Sequence, residues 1–211
     1  MRSLVIGASG GIGGAVARLL SVFGPKGQSN LGRGEVFLAA RRPEKAPPGA
    51  VRLEVTDELE VHALFQSLPP LDLLVYAVGA VERAPLRELS RSRFEELLAA
   101  NLTGAFLVLK HARFAPGGKG VFLGAYPRYV QVPGFSAYAA AKAGLEALLE
   151  SARREYRKEG VHLVLVRLPA VATGLWAPLG GPPKGALSPE AAAQRLLEEV
   201  LKDPPPEVVE I

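Results

Sequence analysis

The chain has 211 residues, 48% hydrophobic and 22% charged, the balance of one globular domain with a sizeable core and not of a disordered segment. It contains no cysteine, which excludes disulfides, thiolate metal sites and a cysteine nucleophile, and a reducing cytoplasm is the expected location. Its formal charge of +4 is scattered, and the densest basic group (Arg153, Arg154, Arg157, Lys158) closes a helical run without interleaved aromatics, so no nucleic-acid partner is expected. No apolar run approaches the roughly 18 residues of a membrane span, and the N-terminus passes from one arginine straight into a glycine turn, unlike a signal peptide. Asparagine occurs only at positions 30 and 101, a thermophile-like usage.

In chain order, residues 2–6 read as a buried strand, Gly7–Gly14 as a turn, and Ala15–Phe23 as an apolar-faced helix. A polar loop over Pro25–Gly34 precedes a strand over Glu35–Ala40. Val51–Val55 is a third strand, after which Thr56 and Asp57 cap a helix from Glu58 to Ser67. Leu71–Val78 is a strand closed by Gly79, and Ser90–Arg113 a long helix interrupted at Asn101 and Gly104. Gly120–Ala125 is a strand, Ala137–Lys158 a long helix, and Val161–Leu168 a strand ended by Pro169. A Gly/Pro-rich stretch leads to a helix over Pro189–Leu201 with Ser188 as its cap, then a strand over Glu207–Ile211. Regular alternation predicts a single α/β domain over 1–211: a doubly wound parallel sheet, Rossmann-like, with helices on both faces.

Where the first strand becomes the first helix stands IGASGGIGG. Gly7, Gly11 and Gly13 lack Cβ, so the backbone turns tightly and a pyrophosphate reaches amides at the positive helix end; Ser9 and Ile12 lie in the same cradle. Gly7-Ala8-Ser9-Gly10-Gly11 also satisfies the G-x-S-x-G elbow of serine hydrolases in the strand-turn-helix setting that motif needs. Against a nucleophilic Ser9, only six residues precede Gly7 where an elbow expects an oxyanion-hole loop, and the available bases are His111 and His162. At the end of the second strand an acidic residue would take an NAD ribose hydroxyl. This chain has Arg41 and Arg42 there, which suits a 2′-phosphate and favours NADP, with NAD still open.

Tyr138 and Lys142 are four apart, on one face of a helix. A phenol of pKa ~10 is a poor acid-base catalyst at neutral pH, and a neighbouring ammonium is expected to draw that value down.

With these motifs in order (Gly7, Gly11 and Gly13; Asn101 in NLTG; Tyr138 and Lys142; Pro169 and Thr173 in LPAVAT), nearly the whole chain resembles the short-chain dehydrogenase/reductase family. The resemblance implies a sheet of about seven parallel strands and hydride exchange between NAD(P) and a small carbonyl or alcohol substrate. It further implies that Tyr138 exchanges the proton, that Lys142 holds the nicotinamide ribose and tunes the phenol, and that Asn101 positions a relay water. Thr173 and Pro169 would line the nicotinamide, Glu54 would take the place of an adenine-contacting aspartate, and Gly79 keeps the family's glycine after the fourth strand.

Departures are equally specific. Family members carry a serine some 13 residues before the tyrosine, where this chain has Ala125; Tyr126 and Ser136 are the hydroxyls nearby. The family's Asn-Asn-Ala-Gly is Tyr76-Ala77-Val78-Gly79 here, Ile6 replaces a threonine, and Ala170 replaces a glycine. A redox-impaired NAD(P)-binding sensor or scaffold is therefore the competing expectation. His62 and His111 show no metal-ligand spacing, so no metal is expected. Trp176 falls in the lid region, packing its loop or touching substrate, and Leu175–Ala186 is short for a lid. The resemblance implies that the two long helices pair between subunits, and alanine faces such as Ala139, Ala143 and Ala147 would permit close approach, so a homodimer or homotetramer is expected.

Overall fold

A computed structural model describes residues 1–22 and 34–211. Among them, β1 (Arg2–Ile6), β2 (Glu35–Ala40), β3 (Val51–Arg52), β4 (Leu71–Tyr76), β5 (Phe114–Ala125), β6 (His162–Leu168) and β7 (Val208–Glu210) form one seven-stranded sheet. All pairings are parallel, in the order β3-β2-β1-β4-β5-β6-β7. The helices are α1 (Gly11–Val22), α2 (Glu58–Ser67), α3 (Arg91–Leu98), α4 (Gly104–His111), the short α5 (Pro127–Val130), α6 (Ser136–Tyr156) and α7 (Pro189–Val200).

Central strands are apolar on both sides because both faces are covered. On one face α1 and α7 bring Val16, Leu20 and Leu196 against Val5, Val75 and Val164. On the other, α2, α4 and α6 bring Phe65, Val108 and Leu149 against Leu4, Leu74 and Phe122. Each such side chain contributes about 1.5–3 kcal/mol relative to exposure. Polar caps set the helix starts: Asp57 accepts from the Leu59 and Glu60 amides at 2.9 and 3.1 Å, and Ser188 from Ala191 at 3.1 Å.

Several boundaries differ from the sequence reading. Helix α1 begins at Gly11, not Ala15, because the glycines lie inside its first turn. Strand β3 stops at Arg52: the Leu53 amide still reaches Ala40, but the Glu54 amide donates to the Glu60 carboxylate at 2.7 Å, turning the chain toward α2. Strand β4 ends at Tyr76, although the Ala77 amide still bonds Ile6 at 2.8 Å. Strand β5 begins at Phe114, six residues before Gly120, and its pairing with β4 is irregular between Leu71 and Leu73. The long helix does break as expected, through a π-helical turn over Ala99–Thr103 between α3 and α4. The loop placed over Pro25–Gly34 lies outside the described residues except for Gly34. No helix among the described residues is long and apolar enough to cross a membrane.

Chain connections leave β1 and β4 in opposite directions, so a crevice opens beyond their carboxyl ends. The glycine turn and Ala77–Gly79 meet there.

Candidate active site

Gly7 has φ +90°, and a Cβ on it would stand 2.7 Å from the Ala77 carbonyl oxygen. A Cβ on Gly13 would land on the Gly7 carbonyl oxygen, so these two glycines let the first turn of α1 press against the β1–α1 turn. Gly11 faces a different neighbour: a Cβ there would be 2.5 Å from the Thr173 methyl, so the segment after β6 folds back onto the start of α1. The turn borders an open cleft of about 530 Å³ lined by Ser9, Gly10, Gly14, Arg18, Lys45 and Pro47 among others. A cradle of this composition fits an anionic nucleotide: backbone amides at a helix start, glycines allowing close approach, and cations on the wall.

Lys45 is a wall residue the sequence reading missed, although it follows Arg41 and Arg42 by only a few positions in the same basic run. Arg18 shares the wall but is paired with Glu190 at 3.1 Å. Arg41 and Arg42 are exposed just past β2, at the cleft's end of the sheet. Glu54 turns its carboxylate onto its own loop, accepting from the Thr56 hydroxyl at 3.0 Å and the Thr56 amide at 3.3 Å.

Deeper in the crevice, Asn101, Gly79 and Lys142 converge from three separate elements. A Cβ on Gly79 would be 3.0 Å from Asn101 Oδ1 and 3.8 Å from Lys142 Nζ, so glycine spares a tight contact with Asn101. Asn101, fully buried in the π-helical turn, donates through Nδ2 to the Ala80 carbonyl at 2.8 Å and the Leu97 carbonyl at 2.9 Å. Its Oδ1 is buried with no partner among the described residues, an unpaired acceptor at the meeting point of the three elements. A π-helical turn within a longer helix is an interruption often found at functional sites, and here it carries Asn101.

Tyr76 explains the departure from Asn-Asn-Ala-Gly. Its ring packs on Phe122 with centroids 5.7 Å apart, and its hydroxyl donates to the Ala100 carbonyl at 3.2 Å, inside the same π-helical turn. A Cβ on Gly104 would be 2.5 Å from that hydroxyl oxygen, so the large side chain at 76 and the missing one at 104 are complementary. Burial pushes the Tyr76 phenol far above its ordinary value, which keeps it neutral and donating.

Tyr138 and Lys142 share one face of α6, with Lys142 Nζ 5.5 Å from the Tyr138 ring centroid. Lys142 is buried and donates to the Leu123 carbonyl at 2.9 Å. Burial pushes the Tyr138 phenol up to about 12, a net shift opposite to the lowering expected from a neighbouring ammonium. Burial also pushes Lys142 down to about 8, so desolvation is the cause at both groups.

Ala125 ends β5 opposite Leu168 and carries no hydroxyl. Tyr126 does not replace one, because its own hydroxyl donates to the Ile211 carbonyl at 3.2 Å and its ring packs on Tyr129. Ser136 opens α6, and its buried Oγ has no partner among the described residues. Beyond Pro169, Thr173 caps a short 3-10 helix over Gly174–Leu179 by accepting from the Leu175 amide at 3.3 Å. Trp176 in that helix donates through its indole to the Val171 carbonyl at 2.8 Å, which ties the loop to its own base. Ser9 has no histidine bonded to it: His111 lies across the molecule beside His62 and Glu58, and His162 opens β6 at the opposite end of the sheet. That geometry removes the hydrolase reading. No group of three or more His, Asp or Glu side chains gathers for a metal ion among the described residues.

A parallel sheet with a glycine turn at its switch point and a Tyr-Lys helix beside it defines a nucleotide-binding α/β protein. The short-chain dehydrogenase model matches residues 2–182, and the chain belongs to that family. It is 33% identical over 171 residues to the 3-oxoacyl-[acyl-carrier-protein] reductase MabA of Mycobacterium avium, covering 75% of this chain and 62% of that one. It is 36% identical over 188 residues to the cis-4-hydroxycyclohexanecarboxylate dehydrogenase of Sinomonas cyclohexanicum, covering 82% and 72%. The chain thus spans less than two thirds of the length of the MabA reductase. Among solved structures, a Thermus thermophilus protein assigned as a short-chain oxidoreductase is 55% identical with TM-score 0.86, each chain covered in full. BdcA in complex with NADPH shares the fold at 20% identity and TM-score 0.80, over 100% of this chain and 92% of that one.

Proposed function

We propose that this chain is an NADP(H)-preferring oxidoreductase that interconverts a small carbonyl compound and the matching alcohol. The observation that carries the reading is the convergence of Asn101 Oδ1 and Lys142 Nζ around Gly79, with Tyr138 one helical turn from Lys142. When bound, the nicotinamide supplies or accepts the hydride. Tyr138 gives or takes the proton at the substrate oxygen. Lys142 holds the ribose and, being buried with its pKa lowered, exchanges a proton readily with the relay. Asn101, its amide nitrogen fixed by two carbonyls, presents Oδ1 to a relay water. Gly7, Ser9, Gly11, Ile12 and Gly13 hold the pyrophosphate at the start of α1, and Pro169 and Thr173 line the nicotinamide. Arg41 and Lys45 suit a 2′-phosphate, and a distant neighbour of the same fold is named for its NADPH complex. Both named relatives act on a keto or hydroxy group, which supports the substrate class.

Fluorescence titration of the protein with NADPH and NADH tests the reading. Tighter binding of NADPH, with the preference lost in Arg41→Ala or Lys45→Ala, is expected; equal affinities, or binding of neither, count against it. Ala143 and Ala147 are exposed on α6, and self-association through that face is part of the proposal. Sedimentation as a monomer alone would remove it.

A second reading, an NAD(P)-binding sensor with little or no redox activity, is favoured by Ala125, since the hydroxyl that orients a substrate oxygen is absent.

A further inference from the structure

Two of the chain's three histidines meet on the surface between α2 and α4. His62 lies on α2 and His111 is the last residue of α4, 49 positions later, yet their Nδ1 atoms are 3.2 Å apart and the rings meet edge to face. His62 is exposed and His111 partly so. Glu58, one helical turn before His62, accepts from His111 Nε2 at 2.9 Å.

That carboxylate fixes the tautomer. An ionised Glu58 only accepts, so His111 carries its proton on Nε2 and presents a bare lone pair at Nδ1. His62 then donates from Nδ1, and a proton shift to its Nε2 frees a second lone pair 3.2 Å from the first. Zinc binds imidazole nitrogen at about 2.0–2.1 Å, which puts neighbouring donors roughly 3.3 Å apart in a tetrahedron and roughly 2.9 Å apart in an octahedron. The observed 3.2 Å is the spacing of two adjacent ligands on one ion. A carboxylate on the far nitrogen is the outer partner that metal-bound histidines ordinarily have. Lys110 also donates to Glu58, at 2.6 Å, and its positive charge opposes a cation, which limits the affinity.

We propose that His62 and His111 form a two-imidazole site for a divalent transition metal, with Glu58 as the outer partner of His111, water completing the coordination, and α2 and α4 clipped together.

Calorimetric titration of the untagged chain with zinc chloride tests it. One site is expected, with affinity lost at least tenfold in both His62→Ala and His111→Ala, weakened in Glu58→Gln, and unchanged in His162→Ala. Saturating zinc should also raise the melting temperature of the parent by on the order of 5 °C, and not that of the two alanine variants. Circular dichroism of His62→Ala, an exposed position, guards against loss of fold. Absence of binding at millimolar zinc, or parental affinity in either alanine variant, overturns the site and leaves the pair as a hydrogen-bonded brace between two helices.

Discussion

Lys142 Nζ donates to the carbonyl of Leu123 at 2.9 Å while standing 5.5 Å from the centre of the Tyr138 ring. The ammonium is thus anchored to the sheet by the chain's own backbone, and its burial lowers its pKa from 10.5 to about 8. Between those values the unfolded chain holds a proton that the folded chain has released. Stability therefore rises with pH across that window, by on the order of 3 kcal/mol. Tyr138, raised from 10 to about 12, acts in the opposite sense above pH 10. Urea melts across the window should show the rise in the parent and its absence in Lys142→Met.

Removing the phenol should stop chemistry and spare binding. Tyr138→Phe is expected to lower kcat by about 10²–10⁴-fold while the NADPH Kd stays within about a factor of three. Stopped-flow turnover and fluorescence titration on one preparation separate the two, and unchanged turnover would defeat the assignment.

Restoring the missing hydroxyl distinguishes a weakened enzyme from a silent binder. One donor aimed at a developing oxyanion is worth about 10²–10³ in rate. Ala125→Ser should therefore raise turnover of a ketone panel by one order of magnitude or more. A folded, NADPH-binding variant with no turnover would favour the sensor reading.

Gly13 is constrained by backbone, which cannot swing aside. Gly13→Ala drives a Cβ into the Gly7 carbonyl, and a loss of about 1–3 kcal/mol with weakened nucleotide binding is expected. Gly174 has open space around its would-be Cβ, so Gly174→Ala should stay within about ±0.5 kcal/mol. Thermal melts of the pair check the contrast.

The strand-helix alternation, the glycine turn and the Tyr-Lys spacing were legible because each is local: periodicity, absent Cβ atoms, and one turn of helix report on neighbours in sequence. The Asn101 break was legible too, as Asn and Gly interrupting an apolar helix. Lys45 was missed because it reaches the cleft only through the short helical turn after β2. Tyr126 was a candidate hydroxyl until its bond to Ile211, 85 residues away, fixed its direction. The net shift of Tyr138 is upward where the Lys142 spacing led to the expectation of a lowering, because spacing gives proximity and says nothing of desolvation.

The sequence by itself determined the class of fold, the glycine turn between β1 and α1 and the helix on which Tyr138 and Lys142 share a face, since these follow from hydrophobic period and backbone sterics. Only the tertiary structure decided which side chains meet across elements: Gly79 with Asn101 and Lys142, Tyr76 with Gly104, Thr173 with Gly11, and His62 with His111. Those meetings depend on strand order and helix packing, which bring together residues tens of positions apart. They also decide protonation, because the cost of charge depends on what surrounds a group and not on where it stands in the chain.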